Sequence, residues 1–256
     1  MANTGKRARN RVARHSQLIS AARAIVAEGG LDGLTMGDVA KRVDCAVGTI
    51  YTYFPSKSAL LAALQSDAIR VLAASYESAA GQWDDAIDGM DLEETTAALT
   101  RVVALGRLFL NWQHIQPMES DFLHMLALAR DDLIEPADGA TVLPQVLTLF
   151  AEGRVLLDRA VELGAIGQDL DRPGDDGTSR TVRWITSLEG AVLVDRITAG
   201  GTGDLDPGAF KQETMAQTIT HDYLLAWGAH PGTLAAAFAA AETMASDGTL
   251  LPEPIG

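Results

Sequence analysis

The sequence predicts an all-α fold, with a small three-helix head at the N-terminus followed by a larger helical body. Three observations carry that expectation. Alanine and leucine are abundant while aromatics make up only 5% of the 256 residues, a bias toward side chains that lose little freedom in a helix. No run of useful length alternates apolar and polar residues as a half-buried strand does. Glycine and proline fall at intervals that cut the chain into helix-length pieces. At 47% hydrophobic and 21% charged the chain has the make-up of a globular protein with a real core, and its longest apolar stretches fall short of a membrane span.

The first helix is expected from about 9 to 29, with Leu18, Ala21, Ala22, Ile25 and Val26 on one face and Gly29-Gly30 as its stop. Short helices from Met36 to Val43 and from Val47 to Phe54 follow, joined by a tight turn. Pro55 breaks the run and Ser56 caps the next helix, whose Leu60, Leu61, Leu64 and Ile69 keep it amphipathic to about Ala80. Beyond a Gly- and Asp-rich patch at 81–91, helices are expected near 92–115, 117–133, 141–164, 178–199, 207–227 and 231–246. Their breaks are Pro117, Pro136–Gly139, Asp171–Gly177, Gly200–Gly208 and Pro231. The head is taken as residues 1–57 and the body as 58–256.

Charge is divided in the same way. The whole chain carries −14, which alone speaks against a polyanionic partner. Residues 1–57 nevertheless hold nine cations (Lys6, Arg7, Arg9, Arg11, Arg14, Arg23, Lys41, Arg42, Lys57) against Glu28, Asp32, Asp38 and Asp44, a balance of +5 that leaves −19 on the rest. A basic head on an acidic body brings one end to phosphates and repels the other. No signal peptide is visible, and the single Cys45 suits a reducing compartment, so a cytoplasmic location is expected.

Within the head, Thr35 opens a capping box: its hydroxyl can accept from the Asp38 amide while Asp38 reaches back, with Leu34 and Val39 placed as a hydrophobic staple. Ala40 is small enough for two helices to cross closely. Asp44 falls in the turn, where a left-handed conformation is called for and Asp tolerates it better than most residues. Ile50 and Phe54, one turn apart, face inward. Val47, Gly48, Thr49, Tyr51, Thr52 and Tyr53 are left for the outer face.

Read together, Thr35-Met-Gly-Asp-Val-Ala-Lys-Arg-Val43, Gly48-Thr-Ile-Tyr-Thr-Tyr-Phe54, Ser56-Lys57 and Leu60-Leu61 resemble the helix-turn-helix of the tetracycline-repressor (TetR) family of transcriptional regulators. The resemblance covers about residues 12–65 and reaches the rest only in length and helical habit. It implies that Thr35, Tyr51, Tyr53 and Lys57 contact phosphates and groove; hydroxyls, phenols and an ammonium independently suit phosphate oxygens. Gly48 lets the third helix sit deep, and Val47, Thr49 and Thr52 can touch thymine methyls. Core packing is the competing use of Tyr51 and Tyr53. Three departures stand out: Asp44 replaces the usual turn Gly, Ala46 stands where Ser or Thr caps the third helix, and Gly37 offers no contact from the second. The run Lys6–Arg11 reads equally as a DNA-reaching arm or a solvated tail, and Cys45 as a small turn residue rather than a sensor.

The body offers no catalytic constellation. Gly200–Gly208 lacks the Lys and strand of a phosphate loop, Asp169–Gly174 fails as a calcium loop at Pro173, and the five histidines have no metal spacing; no cofactor is expected. The helix 92–115 is apolar around most of its circumference. Its Phe109 and Trp112, with Phe122, Met125, Phe150 and Trp184, are candidates to wall an apolar cavity, with Arg107, Asn111 and Arg154 as polar partners. Trp184, Leu188, Ala191, Val192 and Leu224 are candidates for a two-fold interface. The expected function is effector-controlled, DNA-binding regulation by a homodimer, in the direction of repression, with no membrane partner. An architectural DNA binder without effector, or an enzyme on a helical bundle, is the alternative.

Overall fold

The computed structural model describes residues 2–128, 133–167, 176–198 and 211–255, and among these it contains helices and no strand. The elements are α1 (Ala2–Gly29), α2 (Met36–Arg42), α3 (Val47–Tyr53), α4 (Lys57–Asp88), α5 (Glu94–Ile115), α6 (Pro117–Leu128), α7 (Pro136–Gly139), α8 (Leu143–Glu162), α9 (Gly177–Thr198), α10 (Gln212–Ala226) and α11 (Pro231–Ser246). They form two compact units, one of residues 1–71 and 117–146, the other of 72–116 and 147–256, so the boundary falls inside α4. The functional division at 57/58 and this structural one are different cuts: 117–146 folds with the head.

The reason lies in the first unit's core. Leu18, Ala22, Leu34, Val39, Ile50, Phe54, Leu60 and Leu61 interlock, and Phe122 of α6 is buried among them. Arg23 of α1 lies between Asp67 of α4, at 3.2 Å, and the buried Glu119 of α6. The α6–α7 region is also tied to the start of α4. Asp138 accepts from the Ser56 hydroxyl at 3.3 Å and from Ser58, whose own oxygen accepts the Glu135 amide at 2.7 Å. Ser56 takes the Ala59 amide at 2.9 Å, the expected cap of α4.

In the second unit α5 is the central helix, packed against α9, α10 and α11. Gly106 makes that close approach possible: a Cβ there would stand 3.0 Å from the Trp184 ring and 3.1 Å from the Thr220 hydroxyl. Trp184 donates its indole N–H to the same hydroxyl at 3.1 Å, so the buried ring leaves no donor unmet.

Helix α4 overruns its expected end at Ala80 and passes through Gly81 and two aspartates to Asp88. Tertiary packing overrides weak propensity there: Tyr76, Ala79, Trp83 and Ile87 repeat at helical spacing and are all buried, and Trp83 donates to the Leu250 carbonyl at 2.8 Å. At the other end of the chain α1 begins at Ala2, so the basic run Lys6–Arg11 is an exposed helical extension rather than a flexible one. A short α7 occupies the Pro136–Gly139 stretch expected to be a break, proline serving as its first residue. The sequence loops Gly200–Gly208 and Asp169–Gly174 lie outside the described residues. No helix among the described residues is long and apolar enough to cross a membrane.

Candidate nucleic-acid interface

The α2–α3 pair is shaped by its caps. The Asp38 amide donates to the Thr35 hydroxyl at 3.1 Å. The Asp38 carboxylate, expected to bond the Thr35 backbone, instead accepts from that hydroxyl. Val43 ends α2 and Asp44 takes φ +50°, the left-handed turn anticipated from its position. Ala46 at the head of α3 makes no side-chain cap bond. Ile50 is fully buried and Phe54 nearly so, which fixes the rotation of α3 about its axis and therefore which residues it presents.

The presented face is Val47, Gly48, Tyr51 and Thr52, all exposed, with Tyr51 at 51% and Val47 at 42%. A phenol left that far in water on a helix whose neighbours are core residues has no packing role to account for it. A Cβ on Gly48 would meet nothing within 4 Å, so the face there is open. The other proposed contacts are more committed to the protein. Thr49 is half-buried, and the Thr52 hydroxyl donates to the Gly48 carbonyl at 3.1 Å. Tyr53 is half-buried against the head core with the Arg11 guanidinium 5.9 Å from its ring centre, so for this tyrosine packing is part of the role. Thr35 is exposed and engaged with Asp38, while Lys57 lies exposed with its ammonium on the Leu31 carbonyl at 3.3 Å.

Two cations of α1 prove to frame this face, Arg14 read in the sequence only as charge and Arg11 as part of a basic arm or tail. Arg14 reaches the Val43 carbonyl, 3.5 Å away at the α2–α3 turn, and Arg11 lies over Tyr53. The signal available in the sequence was their one-turn spacing on α1. Arg42, by contrast, is spent on Glu28 at 2.5 Å, and its hydrogen bonds hold the Glu28 carboxyl below the usual range.

The body residues do not assemble as the sequence suggested. Trp184, Leu188, Ala191, Val192 and Leu224, expected at a subunit interface, are each at most 3% exposed within one protomer. They fill its own core, so nothing of them is left for a partner. The expected ligand set is also dispersed. Phe122 belongs to the head core and Trp184 to the body core. Phe109 and Phe150 are half-buried, and the Met125 side chain lies outside the described ones. Arg154 is exposed and paired with Asp158 at 3.1 Å, beside a hollow of about 290 Å³ that none of the other candidates lines. Trp112 is buried with an indole N–H that finds no acceptor among the described residues. Arg107 and Asn111 do line one cavity together, of about 500 Å³. The dispersal follows from geometry: Arg107 and Phe109 are two residues apart, about 200° around a helix, and cannot face the same space. Among the described residues no cluster of His, Cys, Asp and Glu could hold a metal.

Fold and face together define a helix-turn-helix head with an exposed reading helix. Residues 18–64 match the family model of bacterial regulatory proteins of the tetR family, so it is the head of this chain that is similar to that family. It is 48% identical over 48 residues to the HTH-type transcriptional repressor KstR of Mycolicibacterium smegmatis, a match covering 19% of this chain and 24% of that protein. The matched stretch thus spans about a quarter of the length of the curated relative. Over the whole fold, a TetR-family transcriptional regulator from Mesorhizobium loti superposes with a TM-score of 0.57 at 14% identity, covering 85% of this chain and 98% of that one. RolR in complex with resorcinol superposes with a TM-score of 0.53 at 19% identity, covering 90% and 95%. At such identities the likeness is one of fold.

Proposed function

We propose that the protein is an effector-controlled transcriptional regulator, a repressor that binds a two-fold symmetric DNA site as a dimer and leaves it when a small molecule occupies the body. The observation that carries this reading is the α3 face: Val47, Gly48, Tyr51 and Thr52 exposed on a helix rigidly seated by Ile50, in a head that is net positive. In this reading residues 1–57 bind DNA and 58–256 bind effector and partner, in the cytoplasm and without catalysis. Helix α4 is the covalent route from one part to the other. The resorcinol complex of RolR lends the effector half its support, as do two cavities of about 500 Å³ among the described residues of the body, within the range of small-molecule sites.

The partner surface is redrawn by the burial of the earlier candidates. Val182, Thr186, Gly190 and Ile197 form an exposed stripe on α9, and a Cβ at Gly190 would meet nothing within 4 Å. A dimer packed there presents two reading helices, and in this reading their half-sites lie ~34 Å apart or somewhat more. Selection of bound duplexes from a random pool tests the DNA half: the expected product is a palindrome whose binding weakens steeply with salt. A pool that yields no common sequence overturns the reading. Sedimentation tests the dimer: Gly190→Arg should remain folded and become monomeric, and a wild-type monomer at micromolar concentration rejects the interface.

A further inference from the structure

The cavity lined by Arg107 and Asn111 lies among α5, α10, α11 and the segment at Leu250–Leu251. Its chemistry is uneven. Val103, Leu110 and Phe238 contribute apolar wall, while the polar groups gather around Arg107, with Asn111, His114, Lys211 and Glu242 also lining it. Arg107 is only 9% exposed, yet its Nε–H is buried with no acceptor among the described residues. A buried guanidinium N–H without an acceptor is costly in a folded protein, and other atoms of the same side chain line the cavity.

The existing partner of Arg107 does not close the site. Glu242 takes one terminal guanidinium nitrogen, and its side chain is 62% exposed. The Arg107 hydrogen bond lowers its carboxyl below the usual range, so it stays ionised. An exposed partner of this kind can turn into water at little cost. The described lining holds two permanent cations, Arg107 and Lys211, against one carboxylate. That balance accommodates one negative charge and disfavours two. The strongly acidic rest of the body acts only weakly here, because charges farther than ~8 Å away are screened at physiological salt.

We propose that this cavity binds a small organic monoanion, a carboxylate on an aromatic or similarly apolar body, with the carboxylate seated on Arg107. The fork of a guanidinium matches the two oxygens of a carboxylate, and because Glu242 can swing into water, a terminal nitrogen of Arg107 is free to take one. A phosphate monoester brings a second negative charge, which exceeds the net single positive charge of Arg107, Lys211 and Glu242 and which Glu242 opposes. The apolar wall and the volume of about 500 Å³ suit a body of one or two rings. The site deepens the effector-controlled reading and rests on it for any consequence at the DNA.

The test is calorimetric titration of the full chain with benzoate, 1-naphthoate and decanoate, each paired with its uncharged amide. The acids should bind and the amides should bind at least about tenfold more weakly. Glu242→Gln should tighten acid binding by about three- to tenfold, since it removes the competing carboxylate while leaving its shape. Arg107→Met should weaken it by about tenfold or more. If that variant does not fold, the sign of the Glu242→Gln effect decides. Three outcomes overturn the site: no acid binding better than its amide, no tightening in Glu242→Gln, or undiminished binding in a folded Arg107→Met. A gel-shift titration separates this from the wider reading. Acids that bind with these dependences and leave DNA bound retain the site and reject effector control through it. DNA released by a compound of another class, with no acid bound, retains the regulator and rejects the site.

Discussion

Helix α3 and helix α5 use their residues in opposite ways. Of the seven residues of α3 only Ile50 is buried, whereas thirteen of the twenty-two in α5 are. A short helix anchored by one or two side chains spends the rest of its surface on whatever it meets, and its spacing in the sequence is nearly the whole of its description. A helix enclosed by α9, α10 and α11 has its side chains committed in several directions, and the sequence says only that it is apolar all round. The head is specified by neighbours in the chain, the body by neighbours in space.

The largest expected effect breaks the contrast from the body's side. Val192→Asp puts an ionised carboxylate at a position 3% exposed in the core with Trp184 and Leu188. The loss should exceed ~4 kcal/mol, at the severe end of single substitutions. The measurement is circular dichroism with thermal melting, and the expected result is an unfolded or aggregated protein. A soluble, folded monomer would restore Val192 to the subunit interface first expected of it. Gly190→Arg on the same helix should show no comparable loss of melting temperature.

The head's counterpart should move binding and leave stability alone. The double substitution Tyr51→Ala, Lys57→Ala removes an exposed phenol and an exposed ammonium. It should weaken operator binding by ~2–3 kcal/mol, or ~30- to 200-fold, and flatten the salt dependence by about one counterion. Melting should change little, because Lys57 gives up only a 3.3 Å contact to the Leu31 carbonyl at the surface. Equal affinity in a fluorescence titration, with the fold intact, removes α3 as the reading helix.

How much was legible follows the same line. The Thr35 cap, the left-handed Asp44, the inward Ile50 and Phe54 and the Ser56 cap could all be read because each depends on residues within four positions of one another. The allocation of Phe122 to the head could not. It depends on Arg23 meeting Glu119 across 96 positions, and nothing local announces such a pair. The five buried residues of α9 and α10 failed for a related reason: small and apolar side chains that pack a protomer look the same in sequence as those that pack two. The extension of α4 through Gly81 was hidden because Trp83 finds its acceptor at Leu250.

The Arg23–Glu119 contact gives the next prediction, smaller because the ion pair is only partly enclosed. Glu119 is 4% exposed, but Arg23 is 30% exposed and keeps Asp67. Removing one end of a fully buried pair costs ~3–5 kcal/mol; the solvent and the second carboxylate here should reduce Glu119→Gln to about 1–2 kcal/mol. Denaturant melting is the check. A neutral effect would mean that α6 is held to the head by Phe122 packing alone.

The smallest effect comes from the least satisfied local feature of the head. Ala46 occupies the N-cap of α3 with extended backbone, φ −67° and ψ 141°, and its methyl offers no oxygen to the first turn. That backbone geometry is what a capping serine needs, so Ala46→Ser requires no rearrangement, and position 46 is exposed, so the hydroxyl meets no desolvation cost. The Thr49 amide already donates to the Ala46 carbonyl at 2.8 Å, and an added side-chain cap on the first turn of α3 should stabilise the head by ~0.5–1 kcal/mol. Since the chain forms two compact units and the head unit has about 100 residues, that corresponds to ~2–8 °C in the melting transition of the head. The consequence for DNA sharpens the comparison. If α3 is already rigid because Ile50 and Phe54 seat it, the cap adds stability and leaves operator affinity within about twofold. If the missing cap leaves the first turn of α3 frayed, the same substitution should also tighten binding, because Val47 and Gly48 would be ordered before contact rather than during it. A melting temperature that does not rise would show that those amides already find partners in water.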